Sequence, residues 1–580
     1  MNRLFCLVLI LSAIAGATPS AFAQDASPTV AERIDNAMEP VANLALEVVF
    51  FSIPIGNGLS LPIVLILLGG TAVFLTLYFK FINVRAFGIA WRTIRGKYTD
   101  PNAPGQITHF QALSAALSAT VGLGNIAGVA VAIGIGGPGA IFWMILMGLF
   151  GMTTKFTECT LGVKFRRIDH FGKVHGGAMY YLRDGLRHRG LAPVGLVLAF
   201  LFALFVIGGA FGAGNMFQAN QAFSQFNTTW PDALTFGNGA LSPQLVFGVT
   251  LAILVGLVIL GGIVWIARVT ALLVPFMCGI YVIAALVIIF GNIGEVGPAF
   301  STIVQSAFSG EAAVGGFIGG LIQGIRRAAF SNEAGLGSAP IAHSAVKTDK
   351  PASEGFVALL EPFVDTVVVC TMTALVIVIT GTWRVSGEID QPGAQLVVAP
   401  QSTEVVQPLD PGQYIHTRDS RDGFVEVIGL ISSEDRSVTE VEGWVDESVV
   451  ANKRGVPVTS MAFGTRISWF PQLLAVAVLL FAFSTMISWS YYGEQGVNYL
   501  FSFLGEDLVR IPVAIYKVVF CLLIIVGSSA TLGNVLNLSD AMVFAMVVPN
   551  LIGLYLLLPV VRKEARSFLD HVKTVDGNKG

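Results

Sequence analysis

The amino-acid sequence predicts an all-α polytopic membrane protein, and three observations carry this prediction. Of the 580 residues, 54% are hydrophobic and 12% are charged, whereas soluble domains carry roughly 25% charged residues. Eleven apolar segments come close to or exceed the roughly 20 residues that a membrane-spanning helix needs. The basic residues lie in short loops between these segments, and the net charge is only −3, which argues against nucleic acid as a partner.

The first 23 residues have the pattern of a secretory signal peptide. Arg3 precedes an apolar run from Leu4 to Ala15, and Ala21-Phe22-Ala23 is a small-residue cleavage motif. We therefore expect residues 1–23 to be removed and residues 24–60 to form a periplasmic N-terminal segment. The alternative is a short anchor that is not cleaved.

The eleven predicted spans follow this segment. They cover residues 61–81, 111–136, 138–162, 193–217, 245–265, 269–291, 313–330, 356–381, 471–491, 512–533 and 541–561. Lys and Arg concentrate after spans 1, 3 and 11, which predicts that these segments are cytoplasmic. An exported N-terminus followed by eleven spans also ends in the cytoplasm, so the signal peptide and the loop charges agree. We expect a multi-pass protein of a bacterial inner membrane.

One connection is much longer than the others. Between spans 8 and 9, residues 384–469 are acidic and contain alternating runs at 424–431 and 438–445, with turn sequences at Asp410-Pro-Gly and Ser420-Arg-Asp-Gly. This pattern favours a small β-rich periplasmic insertion over a disordered linker. The insertion divides the membrane core into residues 61–383 and residues 470–580, the latter including a cytoplasmic tail.

Span 2 contains a tract that a stable membrane helix should not have. Residues 118–128 read Ser-Ala-Thr-Val-Gly-Leu-Gly-Asn-Ile-Ala-Gly. Glycine loses the most backbone entropy on ordering, and in hydrocarbon each freed N–H or C=O group costs several kcal/mol unless a new partner is found. The tract therefore predicts an unwound turn around a ligand, as in secondary transporters. A tight seam of small residues between helices is the alternative, but it leaves Thr120 and Asn125 unexplained.

Four stretches of the chain resemble a known family. The string Val121-Gly-Leu-Gly-Asn125 is similar to the unwound first core helix of sodium-coupled amino-acid transporters with the leucine-transporter fold. Together with residues 214–220 (GNMFQAN), 327–340 (RAAFSNEAGLGSAP) and 481–494 (FAFSTMISWSYYGE), it resembles the alanine or glycine:cation symporter family. The chain departs from the family pattern in its long insertion and in Arg327-Ala-Ala, where Arg-Gly-hydrophobic is usual.

The resemblance implies two inverted five-helix repeats, spans 2–6 and spans 7–11, with span 1 as an extra N-terminal helix. Inverted-repeat transporters interrupt corresponding helices of the two halves. Span 7 is rich in glycine at Gly315, Gly316, Gly319, Gly320 and Gly324, which predicts its interruption there. General glycine richness is the alternative, since the chain has 64 glycines.

An amino-acid substrate would need partners for both of its charges. Backbone N–H groups of Gly122, Leu123 and Gly124, at the positive end of a half-helix, suit its carboxylate. Carbonyl groups near Ala119 and Thr120 suit its ammonium group. Further candidates for substrate contact are Asn125, Gln218, Phe330 and Trp489. Gln218 could instead make an interhelical hydrogen bond, and the two aromatic residues could be interfacial packing.

Sodium is a hard cation that prefers oxygen ligands. The resemblance implies a Na⁺ site between the carbonyl groups of Ser118 and Val121 in span 2 and three residues of span 9, which supply the carbonyl group of Phe481 and the hydroxyl groups of Ser484 and Thr485. For the two hydroxyl groups, a bond to the preceding helical turn is the alternative.

Ionisable residues inside spans are expected to be functional, because burying them is costly. Asp365 in span 8 could join a second cation site with Asn125 and Thr120 or act as a proton carrier; a neutral, hydrogen-bonded carboxyl is the alternative. Lys155 and Glu158, three residues apart in span 3, are predicted to form a structural ion pair. Arg326, Arg327 and Glu333 are predicted to be gate or loop-locking charges at the inner end of span 7.

The expected function is therefore secondary active transport. Na⁺ moving inward would drive uptake of a small neutral amino acid, alanine or glycine, by alternating access. An H⁺-coupled symporter with the same fold is the first alternative, and a channel is an alternative of a different class. No nucleophile and base, and no metal constellation, appear in the spans, so we do not expect an enzyme.

Overall fold

A computed structural model describes residues 40, 43–44, 46–56 and 59–577, apart from residues 101, 232, 235–241, 310–315, 390, 403, 422–423, 433–437, 453–454, 466, 468, 506 and 531. The predicted signal peptide, residues 1–23, and most of the predicted segment 24–60 lie outside the described residues. The described end of that segment forms an antiparallel hairpin of β1 (Ser52–Gly56) and β2 (Leu59–Pro62).

Helices dominate the rest of the chain. In the first half they are α1 (Ile63–Tyr78), α2 (Ile82–Arg85), α3 (Phe87–Ile94), α4 (His109–Thr120), α5 (Val129–Gly136), α6 (Gly139–Lys164), α7 (Ala178–Tyr180), α8 (Ala192–Phe211), α9 (Phe217–Thr229), α10 (Pro243–Ile259), α11 (Gly262–Gly291) and α12 (Ile293–Phe308). In the second half they are α13 (Gly316–Asn332), α14 (Pro340–His343), α15 (Pro351–Ala358), α16 (Leu360–Pro362), α17 (Thr371–Ile379), α18 (Val456–Gly464), α19 (Phe470–Leu500), α20 (Arg510–Ser529), α21 (Leu532–Ala545) and α22 (Val547–Gly577).

Several of these helices are joined through π-helical turns rather than loops. The turns are Gly124–Gly128 before α5, Tyr181–Gly185 after α7, Gly212–Met216 between α8 and α9, and Phe363–Cys370 between α16 and α17. Such turns are rare and often occur at functional sites. The first, third and fourth contribute residues to the site described below.

The helices make this a multi-pass membrane protein. Within the described residues, seven helical segments are long and apolar enough to span a membrane, and the bent pair α4 and residues 124–136 makes an eighth. Each of the eleven predicted spans overlaps a helix, but α1, α10 and α13 fall short by length or composition. Eight spans are therefore supported, and the total of eleven stays a prediction.

Two broken helices meet at the centre of the bundle. The first is α4, which ends at Thr120; after residues 121–123 the chain is helical again from Gly124, at a bend of 51°. The second is α13, which ends at Asn332 and is separated from α14 by residues 333–339. Within that break Glu333, Gly335 and Gly337 adopt left-handed backbone conformations, with φ of 56°, 92° and 80°.

The predicted place of the second interruption is wrong. The helix α13 is continuous from Gly316 to Asn332, and the break lies beyond the predicted span, at residues 333–339. The glycines of α13 serve close packing instead. A Cβ on Gly324 would lie 2.6 Å from the carbonyl oxygen of Ala140 in α6, so this position needs glycine for the helices to approach.

Replacing Gly324 with alanine is expected to destabilise the contact between α13 and α6. The added methyl group would lie 2.5 Å from Trp143 Cβ as well as against backbone, and overpacking of this kind costs about 1–3 kcal/mol. Thermal unfolding of the purified variant should show a lower midpoint. Gly134→Ala is the matched control, because a Cβ there meets nothing within 4 Å; equal midpoints for the two variants would contradict the packing role.

The three segments rich in Lys and Arg lie on one face of the molecule. The Nζ atom of Lys164, the last residue of α6, is 2.6 Å from Glu564 Oε1 in α22, and Lys97 Nζ after α3 is 2.8 Å from Asp576 Oδ1. We call this surface, formed by residues 80–97, 164–173 and 562–576, the basic face. The basic residues predicted to be cytoplasmic thus come from separate segments that contact one another.

The two broken helices run in opposite directions relative to this face. The segment just before α4 contacts the segment just after α14, since Gln106 N donates to Ala345 O at 2.8 Å. Arg166, in the basic face, donates to Ser344 O at 2.8 Å and to Thr348 O at 2.7 Å. Helix α4 therefore starts at the basic face, whereas the second broken helix ends there.

A separate antiparallel sheet occupies much of residues 384–469. Its strands lie in the order β11-β5-β8-β9-β10-β6-β7. They are β5 (Gly387–Ile389), β6 (Gln395–Val397), β7 (Val405–Pro408), β8 (Tyr414–Arg421), β9 (Phe424–Ile431), β10 (Val438–Asp446) and β11 (Val450–Asn452). Two short strands elsewhere, β3 (Arg167–Ile168) and β4 (Val174–His175), pair with each other. The sheet has its own small apolar core, which includes Ile389, Leu396 and Val427.

Candidate functional site

A small cavity lies between the breaks of the two broken helices. By volume it measures about 10 Å³, which is roughly the space that one water molecule needs. Seven residues predicted to contact substrate line it: Ala119, Thr120, Gly122, Gly124, Gln218, Phe330 and Trp489. Glu333, which the sequence suggested as a gate charge, lines it as well, together with Ala213 and Val543. Leu123 and Asn125 are buried beside the cavity and are not part of its lining.

The side chain of Asn125 holds the unwound turn of the first broken helix. Its Oδ1 atom accepts a hydrogen bond of 2.9 Å from the backbone N–H of Gly122, and so replaces an acceptor that a continuous helix would have provided. The N–H of Gly122 is therefore not free, contrary to the sequence prediction. Leu123 O accepts from the N–H groups of Ile126, Ala127 and Gly128 and starts the π-helical turn.

The same asparagine joins the turn to Asp365. Asn125 Nδ2 donates to Asp365 Oδ1 at 2.5 Å and to Ser331 Oγ at 3.2 Å. Two hydroxyl groups donate to the other carboxylate oxygen of Asp365, Ser331 Oγ at 2.5 Å and Thr366 Oγ1 at 2.8 Å. All four residues are buried. The predicted contact of Asp365 with Asn125 is present, whereas Thr120 turns its hydroxyl group to Ala116 O at 3.2 Å in its own helix.

Four of the residues predicted to bind Na⁺ form a compact group of oxygen atoms between α4 and α19. Thr485 Oγ1 donates to Ser118 O at 3.0 Å, and Ser484 Oγ donates to Phe481 O at 3.0 Å. The carbonyl oxygen of Ser484 also accepts from Ser118 Oγ at 2.7 Å. We call Ser118, Phe481, Ser484 and Thr485 the oxygen cluster. Val121 is buried at the end of α4.

The two hydroxyl groups of this cluster behave differently. Ser484 bonds to the preceding turn of its own helix, which is the alternative that the sequence left open. Thr485 instead reaches across to α4, with no such bond described to its own helix. Oxygen atoms of both kinds are suited to a hard cation.

Aromatic side chains close the cavity on two sides. Trp489 packs on Gly214, where a Cβ would lie 2.2 Å from Trp489 Cβ, so glycine is needed for the indole to reach the cavity. Phe330 lies edge-on to Phe217, with ring centroids 5.3 Å apart. Both Trp489 and Phe330 are buried. Gln218 donates from Nε2 to Ala213 O at 3.0 Å, and its buried Oε1 atom has no hydrogen-bond partner among the described residues.

Arg326 and Arg327 were predicted to lie at the inner end of span 7, and this prediction is wrong. The chain continues past Asn332 and α14 to the basic face, so these arginines lie on the opposite side of the cavity from that face. Arg326 Nη2 is 2.7 Å from Asp540 Oδ2, and Arg327 pairs with the same carboxylate. Arg327 also lies over the ring of Phe330 at 5.3 Å. The ion pairs of the two arginines with Asp540 therefore join α13 to α21 next to Phe330 in the cavity wall.

The predicted ion pair between Lys155 and Glu158 is also wrong. Lys155 Nζ lies 2.9 Å from Glu361 Oε1 of α16, and both side chains are fully buried. Glu158 instead accepts hydrogen bonds from Gly337 N at 3.0 Å and from Asn550 Nδ2 at 2.6 Å. Glu158 thus accepts a backbone N–H group in the break of the second broken helix, instead of pairing with Lys155 along its own helix.

Two histidines extend the buried charge of Glu361. His343 Nδ1 lies 2.5 Å from Glu354 Oε1, and its Nε2 atom is 3.5 Å from Glu361 Oε2. His109 pairs with the second oxygen of Glu354. This group joins the start of α4 to α14 and α15. In the break above it, Glu333 accepts a hydrogen bond from Ser338 Oγ.

Several of these partners were not found from the sequence. Ser331 and Thr366 each adjoin a residue of interest, Ser331 within the Ser-Asn-Glu string and Thr366 beside Asp365. Asp540 lies one residue before the predicted span 11, so a slightly longer span would have flagged it as a buried charge. The pairing of Glu354 with two histidines had no sequence signal, because the three residues come from separate segments.

Comparisons with known proteins identify the family to which the chain belongs. Residues 50–408 and 430–579 match the sodium:alanine symporter family. The sodium/alanine symporter AgcS of Methanococcus maripaludis is 39% identical over 87% of this chain and 94% of its own length. The amino-acid carrier protein AlsT of Bacillus subtilis is 30% identical over 86% of this chain and 88% of its own length. Among solved structures, that of MhsT in complex with L-phenylalanine has a TM-score of 0.47 and 13% identity, covering 80% of this chain and 99% of that one. The chain is thus a secondary transporter and not an enzyme, and it belongs to the sodium:alanine symporter family.

Proposed function

We propose that this protein carries a small neutral amino acid, alanine or glycine, into the cytoplasm together with Na⁺ by alternating access. The observation that carries the proposal is the broken segment 118–125, which consists of the last turn of α4 and the unwound residues that follow it. Residues on both sides of the break line the cavity, and Ser118, in the last helical turn, belongs to the oxygen cluster. This one segment would then contact both the substrate and the ion.

The substrate carboxylate is proposed to bind the backbone of the turn. Since the N–H of Gly122 is held by Asn125, the amides of Leu123 and Gly124 are the ones assigned to the carboxylate. The ammonium group is assigned to carbonyl groups at Ala119 and Thr120 and to Gln218 Oε1, a buried acceptor without a partner. An unpartnered buried acceptor is costly, so a donor from the substrate would stabilise this site.

The size of the cavity supports a small substrate. The residues that line the cavity, Trp489 and Phe330 among them, leave about 10 Å³, so even alanine requires the lining to move apart. A larger side chain would require a larger rearrangement of aromatic groups that pack against glycine and backbone. This favours alanine or glycine over larger amino acids.

Sodium is proposed to bind the oxygen cluster. The carbonyl groups of Ser118 and Phe481 and the hydroxyl groups of Ser484 and Thr485 are buried and come from two helices. Val121 O, the other proposed ligand, belongs to the same unwound turn. Asp365 with Asn125, Ser331 and Thr366 is proposed as a second cation or proton site. A cation there would sit against the far side of the turn that contacts substrate.

Two other functions are less well supported. H⁺ coupling through Asp365 would use the same fold, and uptake driven by a Na⁺ gradient at zero pH gradient would exclude it as the sole driving ion. A channel needs a continuous pore, whereas the described helices enclose the central cavity between aromatic side chains.

The experiment that tests the proposal is uptake into proteoliposomes. Labelled alanine is supplied with Na⁺, Li⁺ or K⁺ gradients in turn, and unlabelled amino acids of increasing size compete. We expect saturable uptake that requires Na⁺ and is inhibited by alanine, glycine and serine more than by larger side chains. Uptake that is unchanged when K⁺ replaces Na⁺ would rule out the proposed coupling.

Replacing Thr485 with alanine is expected to weaken Na⁺ binding. The variant loses the hydroxyl group that reaches Ser118 O, and loss of one such ligand costs about 1–2 kcal/mol, or roughly tenfold in affinity. The Na⁺ concentration for half-maximal uptake should rise about tenfold. Ser490→Ala is the matched control, since Ser490 bonds only to Ile487 O of its own helix among the contacts described. Equal Na⁺ dependence of both variants would mean that the Thr485 hydroxyl is structural.

A further inference from the structure

A second, larger cavity lies at the basic face, away from the central site. It measures about 330 Å³, is open to the surface, and is bounded by the end of α1, by α2 and α3, and by the middle of α22. Four of its lining residues are basic: Lys80, Arg85, Arg562 and Arg566. No acidic residue lines it. The cavity therefore concentrates positive charge between the first and last helices of the membrane core.

In the structure as far as it is described, these four side chains lack carboxylate partners. In the described part of the chain, no Asp or Glu oxygen lies within 4 Å of any of them. Arg85 donates only to the backbone oxygen of Lys80, at 3.4 Å, and Arg562 lies over the Tyr78 ring at 5.9 Å. Elsewhere on the basic face, Lys97 and Lys164 are paired with Asp576 and Glu564. Four unpaired cations around one space would repel each other unless an anion joins them.

An unusual backbone turn at Lys80 and Phe81 brings Lys80 and Arg85 to the same side of the cavity. Lys80 and Phe81 both adopt left-handed conformations, with φ of 55° and 56°, which non-glycine residues rarely do. The chain turns there from the end of α1 into α2. As a result, Lys80 and Arg85 face the cavity from one side, while Arg562 and Arg566, one helical turn apart on α22, face it from the other.

The other walls of the cavity are apolar. Phe79, Ile82, Ile89 and Leu569 line it, and next to it Phe81 and Val84 are 46% and 70% exposed. Helix α1 is an apolar helix that ends at Tyr78, and α22 changes from apolar to charged at Arg562. The cavity therefore lies where the two helices leave the hydrocarbon, and its exposed apolar neighbours are suited to lipid chains.

We propose that this cavity binds the phosphate headgroup of an acidic phospholipid, with the arginines and Lys80 on the phosphate and the acyl chains along α1 and α2. Arginine guanidinium groups bind phosphate oxygens through paired hydrogen bonds, and basic pockets between membrane helices are suited to anionic headgroups. A bound lipid would tie the N-terminal span to the last helix of the core.

Lipid binding to the purified full-length protein tests this proposal. Native mass spectrometry in detergent would compare dioleoyl phosphatidylglycerol with dioleoyl phosphatidylcholine, which have the same acyl chains. We expect wild-type protein to bind the acidic lipid about tenfold more tightly. The double variant Arg562→Gln/Arg566→Gln should lose most of this preference. A second variant, Lys80→Gln/Arg85→Gln, removes the same charge from the opposite wall and should have the same effect.

The control removes equal charge from the same helix outside the cavity. Lys563→Gln/Lys573→Gln changes two exposed lysines of α22 and should keep the preference for acidic lipid. Equal binding of the two lipids by wild type, or an equal loss in the control, would overturn the proposal. Inorganic phosphate and glycerol phosphate are tested as competitors. If either displaces the acidic lipid at millimolar concentration, the site binds a soluble phosphate and the lipid assignment is wrong.

Discussion

Gly122→Ala is expected to lower alanine uptake by up to about 100-fold while leaving the protein folded. A Cβ on Gly122 would lie 2.5 Å from Thr485 Oγ1 and 3.6 Å from Gln218 Oε1. The methyl group would thus push on the oxygen cluster and narrow the substrate cavity at the same time. Overpacking of a buried site costs about 1–3 kcal/mol, and up to about 100-fold in binding follows from that range. Uptake kinetics at several Na⁺ concentrations would measure both effects.

The matched control for this variant lies six residues further along. Gly128→Ala adds the same methyl group to the same broken helix, but a Cβ there meets nothing within 4 Å. It should transport nearly as well as wild type. If Gly122→Ala raised only the alanine concentration for half-maximal uptake and left the Na⁺ dependence unchanged, the claim that this turn contacts both ligands would fail.

Lys155→Met is expected to be the most destabilising single change in the buried charge network. Lys155 is fully buried and is 2.9 Å from Glu361, so the variant leaves a carboxylate without its counter-ion in the bundle. Breaking a buried pair by removing one partner costs about 3–5 kcal/mol. The thermal unfolding midpoint of purified protein in detergent should fall by several degrees.

The double variant Lys155→Met/Glu361→Gln separates the pair from its surroundings. Removing both charges should recover much of the lost stability, since an uncompensated carboxylate no longer remains. Lys573→Met is the exposed comparison, because its pair with Asp570 is 77% and 72% exposed and such pairs contribute about 0–1 kcal/mol. A double variant as unstable as Lys155→Met would show that lysine acts through packing rather than through charge.

The sequence was a good guide where composition and local chemistry decide the structure. The unwound tract of span 2 could be predicted because glycines and an asparagine in a membrane helix require replacement hydrogen bonds, and Asn125 does supply one of them. The family motifs also led to most of the residues that line the cavity. These features depend on short stretches of chain, in which the residue types alone determine the local structure.

The sequence was a poor guide where partners come from distant segments. Glycines in α13 suggested a break, but glycine serves equally for close helix packing, and only the neighbouring Ala140 and Trp143 decide between the two. Spacing along α6 suggested that Lys155 pairs with Glu158. In the fold, Glu361 is available to the lysine, and the broken backbone at Gly337 is available to the glutamate. No local pattern could have ranked these contacts.

The charged pair above the cavity illustrates the same limit. Arg326 and Arg327 were expected at the inner end of a span because span 7 was predicted to end at residue 330. The chain instead breaks and continues as α14, which places both arginines on the other side of the cavity and beside Asp540. A break inside a membrane helix lowers hydropathy in the same way as an end does, so the two cannot be told apart without the tertiary structure.

The broken segment 118–125 is proposed to contact both substrate and ion, and so to couple them. Thermodynamic linkage then requires that Na⁺ raise the affinity for alanine by the same factor by which alanine raises the affinity for Na⁺. Calorimetric titration of the purified protein would measure alanine binding at increasing Na⁺, and Na⁺ binding at increasing alanine. We expect the two factors to be equal, at about 5 to 150, and to be smaller in Gly122→Ala. Alanine affinity that is the same in Na⁺ and in K⁺ would contradict this expectation.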